Sequence, residues 1–512
     1  MKINLNNITK IYADEAILEA CDLEVKLGDH IAIVGENGSG KSTLLKIIAG
    51  LENYQEGQRI VPKDIKVGYM NQQFPRFEGT AHAYVMDQFG ELLELERRMQ
   101  ILEQGFATSD DLDLDLEKYE RVTHQFEAQG GYQVGNDIQR IATGLAISNV
   151  LEQDYNELSG GQKTRIELVK LLVSNVDVLC LDEPTNHLDY DGMQWLENYC
   201  KSLRKTLIIV SHDREFLNQV VAVIHDIEDG SIVTYHGNYD SFQIQKKERF
   251  TRLVLDYEAQ QKIIQKLKLA IRRYRQWGHE SDNEDFFKRA KAIEKRLEKM
   301  EKLPKPEELE RKLNLSFDLK NRSGKQVLVA QALDVGYTHP LGNPKNLNIL
   351  WQERVALLGA NGTGKSTLIK TIMGEIPALG GTLKIGESVS IGYLPQQHVF
   401  EDDNERILSF TQRSLSLSEF DARRLLAQFG FYQSDVYKPI RYLSGGEKVR
   451  IKLMEIMHRK HNLIVLDEPT NHLDIQSCEI LEDVLMQYQG TLIVVSHDRY
   501  FLRRLNVKNI EI

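Results

Sequence analysis

Two glycine-rich segments of the 512-residue sequence have the residue types and spacing of a phosphate-binding loop. GENGSGKST (35–43) and GANGTGKST (359–367) each follow an apolar stretch and precede helix-like sequence, as that loop requires. Glycines let backbone N–H groups face phosphates, and a helix N-terminus adds the positive end of its dipole. In each loop we expect the lysine to reach the β- and γ-phosphates and the next serine to ligate Mg²⁺.

The nucleotide-binding residues predicted from these loops are Gly35, Asn37, Gly38, Gly40, Lys41, Ser42 and Thr43 in the first, and Gly359, Asn361, Gly362, Gly364, Lys365, Ser366 and Thr367 in the second. One such loop can occur by chance. Two in the same context predict two sites for a nucleoside triphosphate with Mg²⁺.

Two apolar stretches, VDVLCLDEPT and HNLIVLDEPT, each end in a pair of carboxylates. Asp182 and Asp467 suit the role of holding Mg²⁺, directly or through water. Glu183 and Glu468 follow them and suit the role of orienting or activating the attacking water. A buried strand that ends in a solvated turn is the alternative, but the same spacing to a phosphate loop occurs twice.

These motifs are parts of one long internal repeat. The offset is 324 residues from Lys41 to Lys365 and 285 residues from Asp182 to Asp467. The first copy therefore holds 39 extra residues between Gln72 and the LSGG segment that begins at Leu158. We expect a first domain over 1–245 with an acidic helical insert at about 80–130, a linker over 246–324 and a second domain over 325–512.

The order of motifs in each copy, a phosphate loop, a glutamine, LSGG, Asp-Glu and then a histidine, resembles the ATP-binding cassette family. LSGG alone is a weak signal, and a plain helix N-cap is its alternative explanation. The twice-intact DEPTNHLD run is similar to the ABC-F class of ATPases, which lack membrane spans. The resemblance implies an α/β fold of two tandem ABC-type P-loop ATPase domains joined by an antiparallel α-helical hairpin.

In that family two cassettes close head to tail, and the phosphate loop of one faces the LSGG of the other. The resemblance thus implies that site one combines Lys41, Ser42, Gln72, Asp182, Glu183 and His212 with Ser444, Gly445, Gly446 and Glu447. Site two correspondingly combines Lys365, Ser366, Gln396, Asp467, Glu468 and His497 with Ser159, Gly160, Gly161 and Gln162.

Further roles come from the same resemblance. Gln72 and Gln396 match metal-contacting glutamines, and His212 and His497 match the switch histidine near the γ-phosphate. Tyr12 and Tyr337 match the aromatic residue that stacks on adenine, although lone tyrosines could equally lie at the edge of a core. Asp189 and Asp474 match an aspartate that crosses between the cassettes.

The linker reads as an antiparallel helical pair. Apolar residues at helical spacing predict one helix over 246–276, a turn over 278–285 and a second helix that ends before Pro304. Residues 246–299 hold 16 Lys or Arg and 9 Asp or Glu, so the linker is basic although the whole chain carries −11. The basic residues around the expected tip are Arg272, Arg273, Arg275, Lys288, Arg289, Lys291, Lys295 and Arg296.

Tyr274, Trp277, Phe286 and Phe287 lie among these basic residues. Charge for phosphates and rings for stacking are what RNA binding needs. A solvated charged coiled coil with its aromatics in the seam is the alternative. In ABC-F proteins this linker, here 246–303, enters the ribosomal tRNA exit site, so the resemblance implies rRNA and tRNA as partners. The insert has 10 Asp or Glu and 3 Lys or Arg over 91–120, which favours a packed helical addition over RNA binding.

The sequence therefore predicts a cytosolic ABC-F ATPase that uses ATP and Mg²⁺, binds ribosomes as a monomeric chain and eases stalled translation. Ribosome protection against antibiotics is the close alternative. The ATPase subunit of a transporter and a DNA-associated or scaffold ATPase are more distant ones. No stretch approaches the ~18 apolar residues of a membrane helix. The four cysteines have no metal-type spacing, and we expect them to be reduced.

Overall fold

The computed structural model describes residues 2–12, 15–36, 38–71, 74–106, 112–186, 188–281, 284–303, 323–359, 362–396, 400–470, 473 and 475–512. The chain forms two compact units. One comprises residues 1–239 together with 313–512, and it contains both copies of the repeat. The other comprises residues 240–312.

The first cassette is an α/β domain. Its strands are β1 (Lys2–Tyr12), β2 (Glu15–Lys26), β3 (His30–Gly35), β4 (Glu56–Ile60), β5 (Val67–Tyr69), β6 (Val178–Asp182), β7 (Thr206–Val210), β8 (Val223–Glu228) and β9 (Ser231–His236). Its helices are α1 (Lys41–Ala49), α2 (Ala81–Met86), α3 (Gly90–Gly105), α4 (Leu112–Ala128), α5 (Gly131–Gly144), α6 (Gly160–Val173), α7 (Tyr190–Ser202) and α8 (Arg214–Val220).

The main sheet of the first cassette has the strand order β5-β6-β7-β3-β8-β9 and is parallel except for β9. Every residue of β6 and β7 is buried, and one face of the sheet packs against α1 together with strands β1 and β2. This burial explains why both strands read as unbroken apolar runs. A smaller antiparallel sheet has the order β2-β1-β4.

The order of the main sheet decides where the site must lie. Strands β6, β7 and β3 are neighbours and run parallel, so their carboxyl ends meet at one edge. The phosphate loop follows β3, Asp182 is the last residue of β6, and His212 comes shortly after β7. Ligands of open α/β sheets bind at this edge.

The insert is helical. Helices α3 and α4 share a small core of Leu92, Leu95, Met99 and Phe126. This cluster is separate from the core around α1 and β3. The acidic segment therefore forms a packed helical addition, as expected from its sequence.

Two helices form the second unit, and we call them the linker hairpin: α9 (Tyr239–Ser281) and α10 (Glu284–Glu298). The 43 residues of α9 correspond to a length of about 65 Å. Its first residue, Tyr239, belongs to the cassette unit and is fully buried there, with its hydroxyl 3.5 Å from Glu479 Oε1.

The prediction of a turn over 278–285 is wrong, because α9 continues through Gly278 to Ser281. A side chain at Gly278 would come within 2.7 Å of the Phe287 ring. The glycine therefore permits close approach of the two helices and does not mark the turn. Helix α10 ends at Glu298 and therefore before Pro304, as the sequence predicts, and Pro304 itself lies outside the described residues.

The second cassette repeats the first. Its strands are β10 (Gln326–Asp334), β11 (Lys345–Leu350), β12 (Arg354–Leu358), β13 (Gly380–Ile385), β14 (Ile391–Leu394), β15 (Leu463–Asp467), β16 (Thr491–Val495) and β17 (Lys508–Glu511). Its helices are α11 (Lys365–Met373), α12 (Ile407–Leu415), α13 (Glu419–Gln428), α14 (Gly445–His458), α15 (Ile475–Gln487) and α16 (Arg499–Leu505). The order β14-β15-β16-β12-β17 again brings the carboxyl ends of three motif-bearing strands together.

The seam of the linker hairpin gives a first prediction. Ile271 is 8% exposed within the hairpin, whereas Leu269, two residues away, is 60% exposed. Ile271→Ala should destabilise the hairpin by about 2 kcal/mol or more, because it removes buried methyl groups. Hydrogen exchange of the α9 and α10 amides measures this loss. Leu269→Ala is the matched control, and equal exchange in both variants would contradict a seam at Ile271.

Candidate active site

The two phosphate loops have the backbone geometry of an anion cradle. Gly38 and Gly40 have φ angles of 85° and 94°, and Gly362 and Gly364 have 84° and 91°. Glycine reaches this left-handed region without steric cost, and such turns direct successive N–H groups toward one point. Within the described residues no side chain caps α1 or α11, so their first N–H groups suit a phosphate.

Each loop lysine lies over its own loop. Lys41 Nζ donates to the carbonyl oxygens of Gly35 at 2.9 Å and Glu36 at 2.7 Å. Lys365 Nζ donates to the carbonyl oxygen of Gly359 at 2.7 Å. Burial lowers the pKa of Lys365, and the nearby carboxylates of Glu468 and Asp467 oppose that effect. Each lysine ammonium group is thus placed where a β- or γ-phosphate would replace these carbonyl oxygens as the hydrogen-bond acceptor.

In each cassette two of the three residues expected to hold Mg²⁺, the serine and the aspartate, are brought together. Ser42 Oγ donates to Asp182 Oδ1 at 3.2 Å, and Ser366 Oγ donates to Asp467 Oδ1 at 3.3 Å. In the described part of the chain no group of three or more His, Cys, Asp or Glu could enclose a metal ion. Mg²⁺ is usually held by one or two carboxylates with substrate phosphates and water, so a serine–aspartate pair beside a phosphate cradle fits it.

Tyr69 is a site residue that the motif analysis missed. Its hydroxyl donates to Asp182 Oδ2 at 3.1 Å, on the oxygen that Ser42 does not contact. Its counterpart Tyr393 is close enough to Asp467 that this carboxylate, after burial, contributes to raising its pKa to about 12. The available signal was the Gly-Tyr pair before each Gln-Gln, which recurs at the 324-residue offset.

The two glutamates share an unusual backbone conformation. Glu183 and Glu468 have φ angles of 52° and 49°, which is rare for residues with side chains. Their N–H groups donate to the carbonyl oxygens of Val210 and Val495, both at 2.8 Å. A non-glycine residue in this region costs about 1 kcal/mol or more, and such strain is concentrated at functional sites.

Each glutamate faces the histidine of its own cassette. Glu183 Oε2 accepts the His212 backbone N–H at 3.2 Å, and Oε1 lies 3.4 Å from His212 Nε2. The equivalent distances for Glu468 and His497 are 3.3 and 3.4 Å. Burial raises the pKa of Glu183 to about 8 and that of Glu468 to about 7. Carboxylates with a pKa near neutrality suit proton transfer from water.

Asp189 of the first cassette influences the pKa of two residues in the second site. Its Oδ1 accepts the Gly192 N–H at 3.0 Å and so caps α7. Burial lowers the pKa of Lys365 and of His497, and the Asp189 carboxylate opposes both shifts. The aspartate therefore lies near site two, as the resemblance implies. Its counterpart Asp474 lies outside the described residues.

The LSGG serines cap helices in both cassettes. Ser159 Oγ accepts the Gln162 N–H, and the Gln162 side chain accepts the Ser159 N–H at 2.8 Å. Ser444 and Glu447 form the same reciprocal pair at the start of α14. The N-cap explanation of LSGG is thus correct, and the capped hydroxyls and exposed Gly160 and Gly445 remain candidates for phosphate contact.

Other predicted residues stand apart from these contacts. Tyr12 and Tyr337 are 41% and 66% exposed, and Gln396 is exposed. Lys10 Nζ lies 4.6 Å from the centre of the Tyr12 ring. Predicted residues that lie outside the described part of the chain are Asn37, Gln72 and Asn361.

The buried glutamates predict a pH-dependent stability. Their pKa rises on folding from 4.5 to about 8 and about 7, so the folded chain keeps protons that the unfolded chain releases. The contribution of these two carboxyl groups to the free energy of unfolding is therefore fully present below their unfolded pKa. It is lost as the pH rises through their folded pKa. Glu183→Gln with Glu468→Gln should melt roughly 2–6 °C above the native protein at pH 8 and near it at pH 5. Thermal unfolding of both proteins at pH values between 5 and 8 tests this prediction, and Glu152→Gln, at an exposed position, is the control. A difference in melting temperature that does not change with pH would contradict it.

Tyr69→Phe removes the donor to Asp182 and leaves the ring. Loss of a group that orients a metal ligand weakens metal binding, so the Mg²⁺ concentration for half-maximal ATP hydrolysis should rise about tenfold. Tyr199→Phe is the control, because the Tyr199 hydroxyl contacts only the Leu172 carbonyl oxygen, at 3.5 Å, among the described residues. An unchanged Mg²⁺ requirement would show that Asp182 is positioned without Tyr69.

Comparison with known proteins agrees with this geometry. The family model described as "ABC transporter" matches residues 18–186 and 343–471, more than half of the chain. A second model with the same description matches residues 225–317, which include the linker hairpin. Among the residues that the structure describes, no helix is both long enough and apolar enough to span a membrane.

Similar proteins match over the whole chain. The ATP-binding protein YdiF of Bacillus subtilis (strain 168) is 39% identical over 519 residues, covering 100% of this chain and 80% of YdiF. ABC transporter F family member 5 of Arabidopsis thaliana is 34% identical, covering 100% of this chain and 75% of that protein.

A solved complex of the archaeal ribosomal stalk protein aP1 and the archaeal ribosome recycling factor aABCE1 has the same fold, with a TM-score of 0.58 and 18% identity. The match covers 99% of this chain and 87% of that one. Together, the twin phosphate loops, the paired carboxylates and these relatives place the chain in the F group of the ATP-binding cassette family of ATPases.

Proposed function

We propose that this protein is a cytoplasmic ABC-F ATPase that binds the ribosome when its cassettes close on two Mg·ATP. Its linker hairpin inserts near the tRNA exit site and the peptidyl transferase centre. ATP hydrolysis then releases the protein, and the cycle relieves stalled translation. The observation that carries the proposal is the exposed basic surface of the hairpin.

That surface lies on both helices. All eight basic residues around the tip are exposed, and they are Arg272, Arg273, Arg275, Lys288, Arg289, Lys291, Lys295 and Arg296. A protein that neutralises nucleic-acid phosphates gains affinity by releasing counterions. The remainder of the chain has a net negative charge, which favours the hairpin as the contact with RNA.

The hairpin aromatics divide between two roles. Tyr274, Trp277 and Phe286 contact one another, and their ring centres are 5.8 to 6.2 Å apart. This cluster joins α9 to α10 and agrees with the seam interpretation. Trp277 and Phe287 are also 42% and 37% exposed as residues, and we expect each to offer surface on which a base can stack.

The comparisons support a ribosomal partner. The similar Arabidopsis protein is named for the F family, and the matched aABCE1 complex is described as a ribosome recycling factor with a ribosomal stalk protein. Two intact ATP sites joined by a basic hairpin suit a factor that binds RNA in one nucleotide state and leaves in another.

In the proposed cycle the residues of each site have separate tasks. The phosphate loop and Lys41 hold the phosphates, and Ser42 with Asp182 would hold Mg²⁺, whose charge neutralises the phosphate oxygens. Glu183 accepts a proton from the attacking water, because burial keeps its pKa near neutrality. His212 orients that carboxylate. The second site uses the equivalent residues.

Glu183→Gln with Glu468→Gln should bind ribosomes with ATP and stay bound, because closure no longer ends in hydrolysis. We expect this variant to cosediment with ribosomes in ATP and not in ADP. Cryo-EM of the pellet should place the hairpin in the exit site. Absence of cosedimentation in ATP would reject the ribosomal function, and association with membranes in its place would favour a transporter subunit.

The tip charges can be tested without touching the ATP sites. Arg272→Ala, Arg289→Ala and Lys291→Ala together should weaken ribosome binding at least about tenfold and reduce its salt dependence. The ATPase rate without ribosomes should not change. Lys262→Ala with Lys266→Ala, exposed in the middle of α9, is the control for loss of charge away from the tip. Equal weakening by both variants would contradict recognition by the tip.

A further inference from the structure

Two arginines reach from one cassette to the other at equivalent positions of the repeat. Arg214 of the first cassette forms an ion pair with Glu482 of the second, and Arg499 of the second forms one with Glu197 of the first. Both arginines and both glutamates are related by the 285-residue offset. The same contact is therefore made twice, once in each direction, as in the interface of a twofold dimer.

These pairs are largely removed from water. The side chains of Arg214 and Glu482 are fully buried, and those of Arg499 and Glu197 are 20% and 6% exposed. Desolvation offsets most of the attraction in a buried ion pair, so its net contribution to stability is small. Removing one partner is costly, however, because the other charge stays buried. Such pairs favour one arrangement of the two cassettes more than they add stability.

Each arginine lies two residues after a switch histidine. Arg214 is the first residue of α8, and Asp213, which lies between it and His212, caps that helix by accepting the Phe216 N–H at 3.0 Å. Arg499 follows Asp498 and His497 in the same way, and Asp498 accepts the Phe501 N–H at 2.9 Å. The arginine and the helix cap thus fix the backbone that carries the histidine.

One of the partner glutamates lies on a helix that begins beside the opposite site. Glu197 is in α7, whose cap Asp189 acts on Lys365 and His497 of site two. Asp189 and Glu197 are eight positions apart, which is about 12 Å along a helix. Helix α7 therefore engages the second cassette at two points, and both belong to the surroundings of His497.

We propose that Arg214 and Arg499 are positioning residues for the two switch histidines, each held by a glutamate of the opposite cassette. A movement of α7 or α15 then displaces the histidine of the other cassette, so hydrolysis in each site depends on how the other cassette is placed. This coupling concerns the ATPase reaction of the chain alone and does not depend on a ribosomal partner.

The two couplings are not equal. Arg214 also lies 3.4 Å from Asp498 Oδ2 and 4.3 Å from the Tyr500 ring, and Glu482 also lies 3.2 Å from Arg504 Nε. Arg499, besides Glu197, has the Tyr190 ring at 5.6 Å. The contact that positions His212 is therefore more extensive, and the simpler Arg499–Glu197 pair is the better one to reverse experimentally.

The test follows one site at a time. In a Glu183→Gln protein site two carries out the hydrolysis, and in a Glu468→Gln protein site one does. Glu197→Gln added to the first should lower kcat about tenfold with the KM for ATP within about twofold, because only His497 loses its support. Glu197→Gln added to the second should leave kcat within about twofold.

The control is another ion pair across the same interface. Arg503 Nη1 lies 3.3 Å from Glu215 Oε2, and the Arg503 side chain is 55% exposed. Arg503→Ala should leave both rates unchanged. The reversed pair, Glu197→Arg with Arg499→Glu, should restore at least half of the lost rate, and Arg499→Lys should retain more activity than Arg499→Ala.

Equal loss of rate in both sites would overturn the proposal, since that is the effect of a merely structural contact. So would a matching loss in Arg503→Ala, or no recovery in a reversed pair that melts at the native temperature. If Glu197→Gln does not fold, Arg499→Lys in the same two backgrounds gives the same comparison. A rate loss confined to site two would support the proposal there, and equal loss in both sites would overturn it.

Discussion

Each active site depends on keeping one glutamate carboxylate out of water at the end of a parallel strand. Glu183 and Glu468 sit just beyond β6 and β15, in a left-handed conformation that a side chain rarely adopts. Backbone hydrogen bonds to the neighbouring strand and the N–H of the switch histidine hold them there. The cost of that burial and strain is offset by the fully buried strands around them. The conformation aims the carboxylate at the edge where the phosphate loop ends.

The same edge joins the two cassettes. Asp189 lies near Lys365 and His497, and the crossed arginines begin two residues after each histidine. The residues proposed to activate water and those that hold the cassettes together are therefore close neighbours in the chain. Because Arg214 has more partners than Arg499, the two sites differ although every hydrolytic residue is repeated. Gln162 and Glu447, the visible difference in the LSGG segments, make the same capping contact in both cassettes.

Much of this arrangement could be predicted from the sequence, because the repeated loops and carboxylates lie on strands whose carboxyl ends must meet. The serine–aspartate pairs and the helical insert followed from motif spacing and composition. Tyr69 was missed because a tyrosine on a short strand usually belongs to the core. The φ angle of Glu183 follows from tertiary packing. Arg214 and Glu482 are 268 residues apart, and no local sequence pattern predicts a contact over that separation. Gly278 was read as part of a turn because glycine is unfavourable inside a helix and a polar segment follows it.

The burial of Tyr239, the first residue of α9, constrains how the two cassettes are connected. Tyr239 is fully buried in the cassette unit, with its hydroxyl 3.5 Å from Glu479 of α15 and its ring centre 5.8 Å from that of Tyr500 in α16. If Tyr239 left this position, an aromatic ring would be exposed to water and its contacts with both helices would be lost. The chain therefore passes from the last strand of the first cassette directly to a residue that is buried against the last two helices of the second. This one side chain connects the two halves of the repeat before the linker begins.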